Sequence, residues 1–372
     1  MAVHDHSYGP EVCFLCGDGL TQANRSDEHI FPRWVQRDFG IRDMTIWMLN
    51  GYRVAYRSLT IPCCTTCNNE HLSGLEQRVK RWLAEPVKDL STDQRLDVFL
   101  WATKILFGLI YRQLFTDFDP RERAKGPTFT PEGLKHFDQM HRLLQGIRSG
   151  LTYRGPTDLP GTFCMFEVQC PETTAGRFDW QDNPFTQTLY VRLGTRAILL
   201  CHDGGAQMLA VGDVIRRHQA RALHPLQMEE LAAKFLYKAT TQERWPIFTM
   251  ADDGRLFVAC LGFDYPDAPS FITSLVGEGG PHPTEVVSMA VPHPADDGRP
   301  LFGEWKREEF FALFSRSTGL PVGMLGGPGG TTATWLITPD GDDLILRIAD
   351  EPYPLRGAKA VDGVPDDTTK PS

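Results

Sequence analysis

Two short cysteine turns, Cys13-Phe-Leu-Cys16 and Cys64-Thr-Thr-Cys67, constrain this chain more than any other feature. Each CxxC turn presents two sulfurs to one side, and two such turns supply the four thiolates of a closed tetrahedral metal site. The glycine and polar neighbours in CFLCGDG and CCTTCNN are those that zinc knuckles use to turn tightly. Soft sulfur donors favour zinc. Binding it would pin the ends of a segment too short and too polar to fold well alone, a gain on the order of 10 kcal/mol. Cys63 competes with Cys64, but its spacing to Cys67 is one residue longer, so it reads as a bystander. Cys164, Cys170, Cys201 and Cys260 stand in apolar surroundings and read as small buried side chains.

The remaining composition permits ordinary folding. A chain of 372 residues holds two or three domains, and its 41% hydrophobic and 23% charged content is close to that of globular proteins. The most apolar window, LDVFLWATKILFGLIYRQLF, carries Lys104 and Arg112 and reads as an amphipathic helix, not a membrane span. No basic stretch followed by an apolar one opens the chain, so the expectation is a cytoplasmic protein with no membrane partner and with cysteines that bind metal in preference to disulfides. The net charge of -9 excludes coating of nucleic acid by bulk electrostatics. The acid is uneven, however: residues 1–90 carry 10 basic and 11 acidic side chains against 28 and 36 in the remainder. A polyanion would prefer the first quarter.

Pattern divides the chain into a cysteine-bearing segment (1–88), a helical segment (89–155), a larger mixed part (156–357) and a disordered tail (358–372). In the first, MTIWMLNGYRVAYRSLTI centres a hairpin on Asn50-Gly51, and Leu72, Leu75, Val79 and Trp82 recur at helical spacing. In the second, Ser91 with Gln94 forms a capping box for a helix whose face is Leu96, Phe99, Leu100, Thr103, Phe107, Ile110 and Leu114. Thr130 and Pro131 open another helix that runs to Gly150. In the third, GTFCMFEVQC, TQTLYVRLGTRAILLC, RLFVAC, TATWLIT and DLILRIA read as strands and PLQMEELAAKFLYKATTQ as a helix. The fold class is α+β with mainly antiparallel strands in the C-terminal part. The glycine-rich Gly323–Thr332 lacks the Lys-Ser/Thr ending of a phosphate loop and reads as a turn. His4 and His6 read as disordered.

Between the knuckles lies SDEHIFPRW, Ser26 to Trp34, where two carboxylates precede a histidine and an apolar, proline-bearing segment follows. The order CxxC, DEHIFP, hairpin, CxxC-Asn, helix resembles the His-Asn-His nuclease family, in particular its zinc-stapled branch that includes endonuclease VII and bacterial defence nucleases. The resemblance covers roughly residues 11–85. It implies an N-terminal ββα-metal finger with structural zinc on Cys13, Cys16, Cys64 and Cys67. It further implies His29 as general base, Glu28 and Asn68 as ligands of a catalytic magnesium or manganese ion, and His71 near that ion or a phosphate. The family's middle Asn is missing from YRSLTIPCC, and Asn50 lies too far upstream to replace it.

The chemistry supports these roles independently. Phosphodiester hydrolysis needs a deprotonated water and charge neutralisation at the phosphoryl oxygens. Imidazole is a usable base near neutrality, and carboxylate and amide oxygens suit a hard divalent ion. Because strand side chains alternate, Glu28 and His29 share a face only if the chain bends there; otherwise the ligand is Asp27, which lies on His29's side. The expected activity is a metal-dependent endonuclease, a phosphodiester hydrolase acting on DNA, with phage defence or mobile-element biology implied by the resemblance. A ribonuclease or toxin with the same site is one alternative, and a non-catalytic zinc-stapled nucleic-acid-binding module is another. Arg25, Arg33, Arg37, Arg42, Arg53 and Arg57, interleaved with Trp34, Trp47, Tyr52 and Tyr56, are placed to meet a phosphate backbone and exposed bases or to form the polar face of a hairpin. The C-terminal part is left to select a target, sense an activating ligand or form a homo-oligomer.

Overall fold

The computed structural model describes residues 6–169, 178–223, 225–240, 242 and 245–264, together with five short strands between 286 and 354. Gly323–Thr332, Cys170, His4 and the tail lie outside the described residues. The chain divides into two compact units, residues 1–224 with 238–272 and residues 225–237 with 273–372.

The first unit begins with β1 (Arg25–His29), α1 (Arg33–Asp38), β2 (Thr45–Trp47), β3 (Arg53–Ala55), β4 (Thr60–Cys64) and α2 (Ser73–Trp82). Strands β1 and β4 pair antiparallel without a bulge, from Arg25 opposite Cys64 to His29 opposite Thr60. The hairpin expected at Asn50-Gly51 is β2–β3: Gly51 takes φ +78, Gly51 N–H donates to the Met48 carbonyl at 2.9 Å, and Asn50 Oδ1 accepts from Tyr52 N–H at 3.1 Å. A π-helical turn, Cys67–Leu72, leads into α2, where sequence periodicity predicts a plain helix.

Helix α3 (Thr92–Arg112) starts at the expected capping box, with Gln94 N–H on Ser91 Oγ at 3.3 Å and Ser91 N–H on Gln94 Oε1 at 2.8 Å. It is not amphipathic along its length, because every residue from Val98 to Tyr111 is buried. α3 packs against α2, β4 and the elements introduced next, so no side of its second half faces water. It is long and apolar enough to cross a membrane, yet it is mostly enclosed by the protein. Thr130 caps α4 (Pro131–Leu134) as expected, its Oγ1 accepting from Gly133 N–H at 3.1 Å. The single helix expected to run to Gly150 is broken into α4, a 3-10 turn at Lys135–Phe137, α5 (Asp138–Leu144) and α6 (Gly146–Ser149). Gly146 allows this segment to turn close against Leu151, where an added Cβ would lie 2.7 Å away.

Strand β5 (Leu151–Arg154) follows inside the segment read as helical. β6 (Thr162–Glu167), β7 (Phe178–Asn183), β8 (Thr188–Leu193) and β9 (Arg196–Cys201) form an antiparallel sheet in the order β6-β9-β8-β7. Helix α7 (Ala206–Gln219), absent from the sequence reading, comes next. Then come β10 (Trp245–Asp252) and β11 (Leu256–Asp264), after α8 (Pro225–Thr240), of which residues 225–237 belong to the second unit. β10 and β11 pair antiparallel, while β5 joins β11 in parallel. One buried cluster runs from Cys13 and Phe14 through α3 to β6, β8 and β9, so the cysteine-bearing and helical segments share a core.

The second unit contains β12 (Val286–Ser288) paired with β13 (Glu304–Lys306), and a three-stranded antiparallel sheet of β14 (Ala333–Ile337), β15 (Leu344–Ile348) and β16 (Glu351–Pro354).

Candidate functional site

The ligand atoms of Cys13, Cys16, Cys64 and Cys67 lie within 4.8 Å of one another, close enough to hold a metal ion. Local backbone builds this arrangement. Gly17 N–H donates to the Cys13 carbonyl at 2.9 Å; Gly17 takes φ +78, and a Cβ there would meet the His6 ring at 2.7 Å, so only glycine fits. Phe14 N–H on the Pro62 carbonyl at 3.0 Å joins the first knuckle to β4, and Cys67 N–H points at Cys64 Sγ, 3.4 Å away, across the second. Cys63 is buried with its Sγ 3.8 Å from that of Cys13, outside the set of four. His6 is not disordered: its ring centroid lies 3.7 Å from that of His141 on α5.

The donor set fits a soft cation. Burial pushes the Cys16 thiol up to about 12, while hydrogen bonds from Cys63 and then Cys67 hold Cys13 far below its ordinary value. Sulfur acts on sulfur here, with no lysine or arginine among the groups that shift these thiols, so full ionisation of four packed thiols calls for a cation.

Beside the cysteines, β1 arranges the remaining candidates. Its regular register means that it does not bend, so Glu28 and His29 face opposite ways. Glu28 therefore departs from the ligand role expected of it: the residue is 5% exposed and its carboxylate pairs with the Lys104 ammonium. Lys104 itself is 1% exposed. It also donates to the His29 carbonyl at 2.7 Å, the Ile30 carbonyl at 3.3 Å and Glu76 Oε1 at 3.3 Å. Burial opposes the lysine's charge, but Glu28 and Glu76 hold its pKa above the ordinary value. Burial, reinforced by Glu28 and opposed by Lys104, pushes Glu76 up to about 7. One buried ammonium thus faces two carboxylates, and this pairing offsets the cost of enclosing the charge.

Asp27 is exposed and lies on the His29 side of β1. The His29 ring is half-buried, and neither nitrogen is hydrogen-bonded to the described residues. Partial burial, then Arg33, Lys104 and Arg42, lower its pKa against the opposing pull of Asp27, which leaves the imidazole neutral at pH 7. Asn68, from the π turn after the second knuckle, donates through Nδ2 to Ser26 Oγ at 2.8 Å and, more weakly, to the Asp27 carbonyl at 3.4 Å. Its Oδ1 is left without a protein partner among the described residues. The fold thus brings Asp27, His29 and Asn68 to one strand. His71, in the same turn, makes no hydrogen bond or ion pair with them among the described residues. Asn50 is a hairpin residue, its Nδ2 on the Asp117 carbonyl at 2.7 Å, and leaves the middle-Asn place unfilled.

Sequence reasoning missed Lys104, Glu76 and Arg112 as site residues. Arg112 Nη1 donates to the carbonyl of Thr60, the residue opposite His29, at 3.1 Å. Lys104, Gly108 and Arg112 form one stripe of α3 against β1 and β4, where a Cβ on Gly108 would lie 3.2 Å from Ile30 and 3.4 Å from Ile61. The available signal was two cations in the most apolar stretch of the chain, since a buried lysine demands partners. Comparison with protein-family models, curated proteins and solved structures finds no match to this chain.

Proposed function

We propose that the first unit is a metal-dependent nuclease of the His-Asn-His type, hydrolysing phosphodiester bonds in nucleic acid, with DNA as the leading substrate. The observation that carries this reading is β1 itself: a neutral, unpartnered imidazole and an exposed carboxylate share its open side, and Asn68 is tied to the same strand with its amide oxygen free.

In this reading zinc on Cys13, Cys16, Cys64 and Cys67 is structural, having no position left for substrate. Asp27 and Asn68 Oδ1 would hold magnesium or manganese, hard ions suited to their oxygen donors. That ion, when bound, supplies charge neutralisation for phosphoryl oxygens. His29 accepts the proton of the attacking water, a role for which a positioned base contributes about 10²–10⁴-fold in rate. Lys104 fixes the base from behind by holding the His29 and Ile30 carbonyls. Arg112, anchored on Thr60, adds positive charge near Asp27. His71, three residues beyond Asn68 in the same turn, is assigned no step in this reading.

The test is digestion of supercoiled plasmid and of a structured RNA by the purified chain in magnesium and in manganese, with zinc quantified in the same preparation. Nicking of plasmid with stoichiometric zinc is expected, and cleavage of RNA alone assigns the ribonuclease alternative. Binding without cleavage in any divalent ion assigns the non-catalytic module, a reading favoured by the neutralisation of Glu28 by Lys104 and by the unfilled middle-Asn place.

A further inference from the structure

Nine large hydrophobic side chains are markedly exposed among the described residues, and four of them fall on one hairpin. Met44 is 56% exposed, Trp47 46%, Leu49 52% and Tyr52 54%. A fifth, Phe118, follows Asp117, whose carbonyl takes the Asn50 amide at the hairpin tip. Soluble surfaces scatter such residues singly, and a contiguous group marks a contact surface. The hairpin is also firmly built. Ile46 and Met48 are buried beneath it, Met48 N–H donates to the Tyr52 carbonyl at 2.7 Å and Tyr56 N–H to the Met44 carbonyl at 3.0 Å.

We infer that the β2–β3 hairpin is a stacking surface for unpaired bases, with Trp47 and Tyr52 as the platforms, so that the substrate is nucleic acid with a single-stranded or unstacked segment. This rests on the nuclease reading. Charge selects the occupant: Arg42, Arg53 and Arg57 stand in this segment against a single carboxylate, Asp43, in a chain of net charge -9. Arg57 pairs with Asp43 and Asp117 with Arg123, which leaves Arg42 and Arg53 without carboxylate partners among the described residues. Arg53, directly opposite Trp47, holds its guanidinium 4.3 Å from the indole centroid, a cation and a π face side by side for phosphate and base. The surface is continuous with the candidate site. After β3 ends at Ala55 and the chain makes one turn, Leu59 accepts Ile30 N–H on its carbonyl at 3.0 Å and Thr60 stands opposite His29, so the hairpin leads directly into the strand that pairs with the one carrying the candidate base. In this inference a strand whose scissile phosphate sits at His29 would lay its neighbouring bases along the hairpin.

The test measures binding of the full-length chain to a short single-stranded DNA and to its duplex without added magnesium or manganese, in parallel with plasmid cleavage in their presence. Trp47→Ala with Tyr52→Ala is expected to weaken single-strand binding at least about tenfold, since stacking on one aromatic is commonly worth that much per base. Duplex binding is expected to change less than about threefold, and Trp47→Phe to restore most of the single-strand affinity. Both positions are exposed, so zinc content and melting temperature should stay at wild-type values. Unchanged single-strand binding, an equal loss on duplex, or a concentration-dependent dimer of the wild type that the alanine variant abolishes overturns the inference, the last assigning the patch to a second copy. Cleavage that survives both substitutions alongside unchanged binding overturns the stacking role alone. Trp47-dependent binding without any cleavage supports the stacking role while removing the nuclease reading.

Discussion

At the scale of single residues, the most telling group is Lys104, a buried cation that two carboxylates and two backbone carbonyls surround. Removing one partner of a buried ion pair leaves the others uncompensated and costs about 3–5 kcal/mol. Lys104→Met should lose about that much in denaturant unfolding, and Lys104→Met with Glu28→Gln should recover part of it. His202 illustrates a second kind of buried polar group. Its Nε2 meets Thr103 Oγ1 at 3.2 Å, its Nδ1 has no partner among the described residues, and burial lowers its pKa to about 3. Folding therefore favours the neutral ring: this contribution is complete above about pH 6.5, the value in the unfolded chain, and declines as pH falls toward 3. The decline approaches ~1.4 kcal/mol per pH unit below the unfolded value. His202→Gln, which retains a donor for Thr103 but cannot titrate, should show a shallower loss of stability over that window in urea unfolding at stepped pH.

At the scale of elements, what could be read from the sequence followed the range of the interaction. The capping box at Ser91 and Gln94, the Thr130-Pro131 start and the Asn50-Gly51 turn each depend on residues a few positions apart, and each is present. Ser91→Ala should cost about 1 kcal/mol, read as a lower melting temperature with α3 still formed. The two CxxC turns were legible for the same reason, although their meeting across the intervening segment was an inference from chemistry. Partners distant in sequence were hidden: nothing near Glu28 announces Lys104, and whether SDEHI bends or runs straight depends on pairing with β4. The burial of α3 on all sides was likewise invisible, because an apolar helix shows the same spacing on its enclosed and open faces. The breaks in α4–α6 and the parallel joining of β5 to β11 arise from tertiary packing, where local propensity has little say.

At the scale of the whole molecule, a single buried cluster links the knuckles, α3 and the four-stranded sheet, so the first unit is expected to unfold as one cooperative body. The cysteine cluster sits at the N-terminal end of this core, with Cys13, Cys64 and Cys67 themselves buried in it. If the cluster holds zinc, as we propose, stripping it with a strong chelator should lower the melting temperature of the unit and expose the Cys13, Cys16, Cys64 and Cys67 thiols to alkylation together. A fully folded unit with four promptly reactive thiols would contradict that coupling.

The central claim is tested most directly by single-turnover cleavage of plasmid DNA in manganese by the wild-type chain and by His29→Ala, with zinc content and melting temperature measured on both. The account predicts equal zinc, nearly equal melting temperature and a rate reduced about 10²–10⁴-fold in the variant. Cleavage by His29→Ala at the wild-type rate would contradict it.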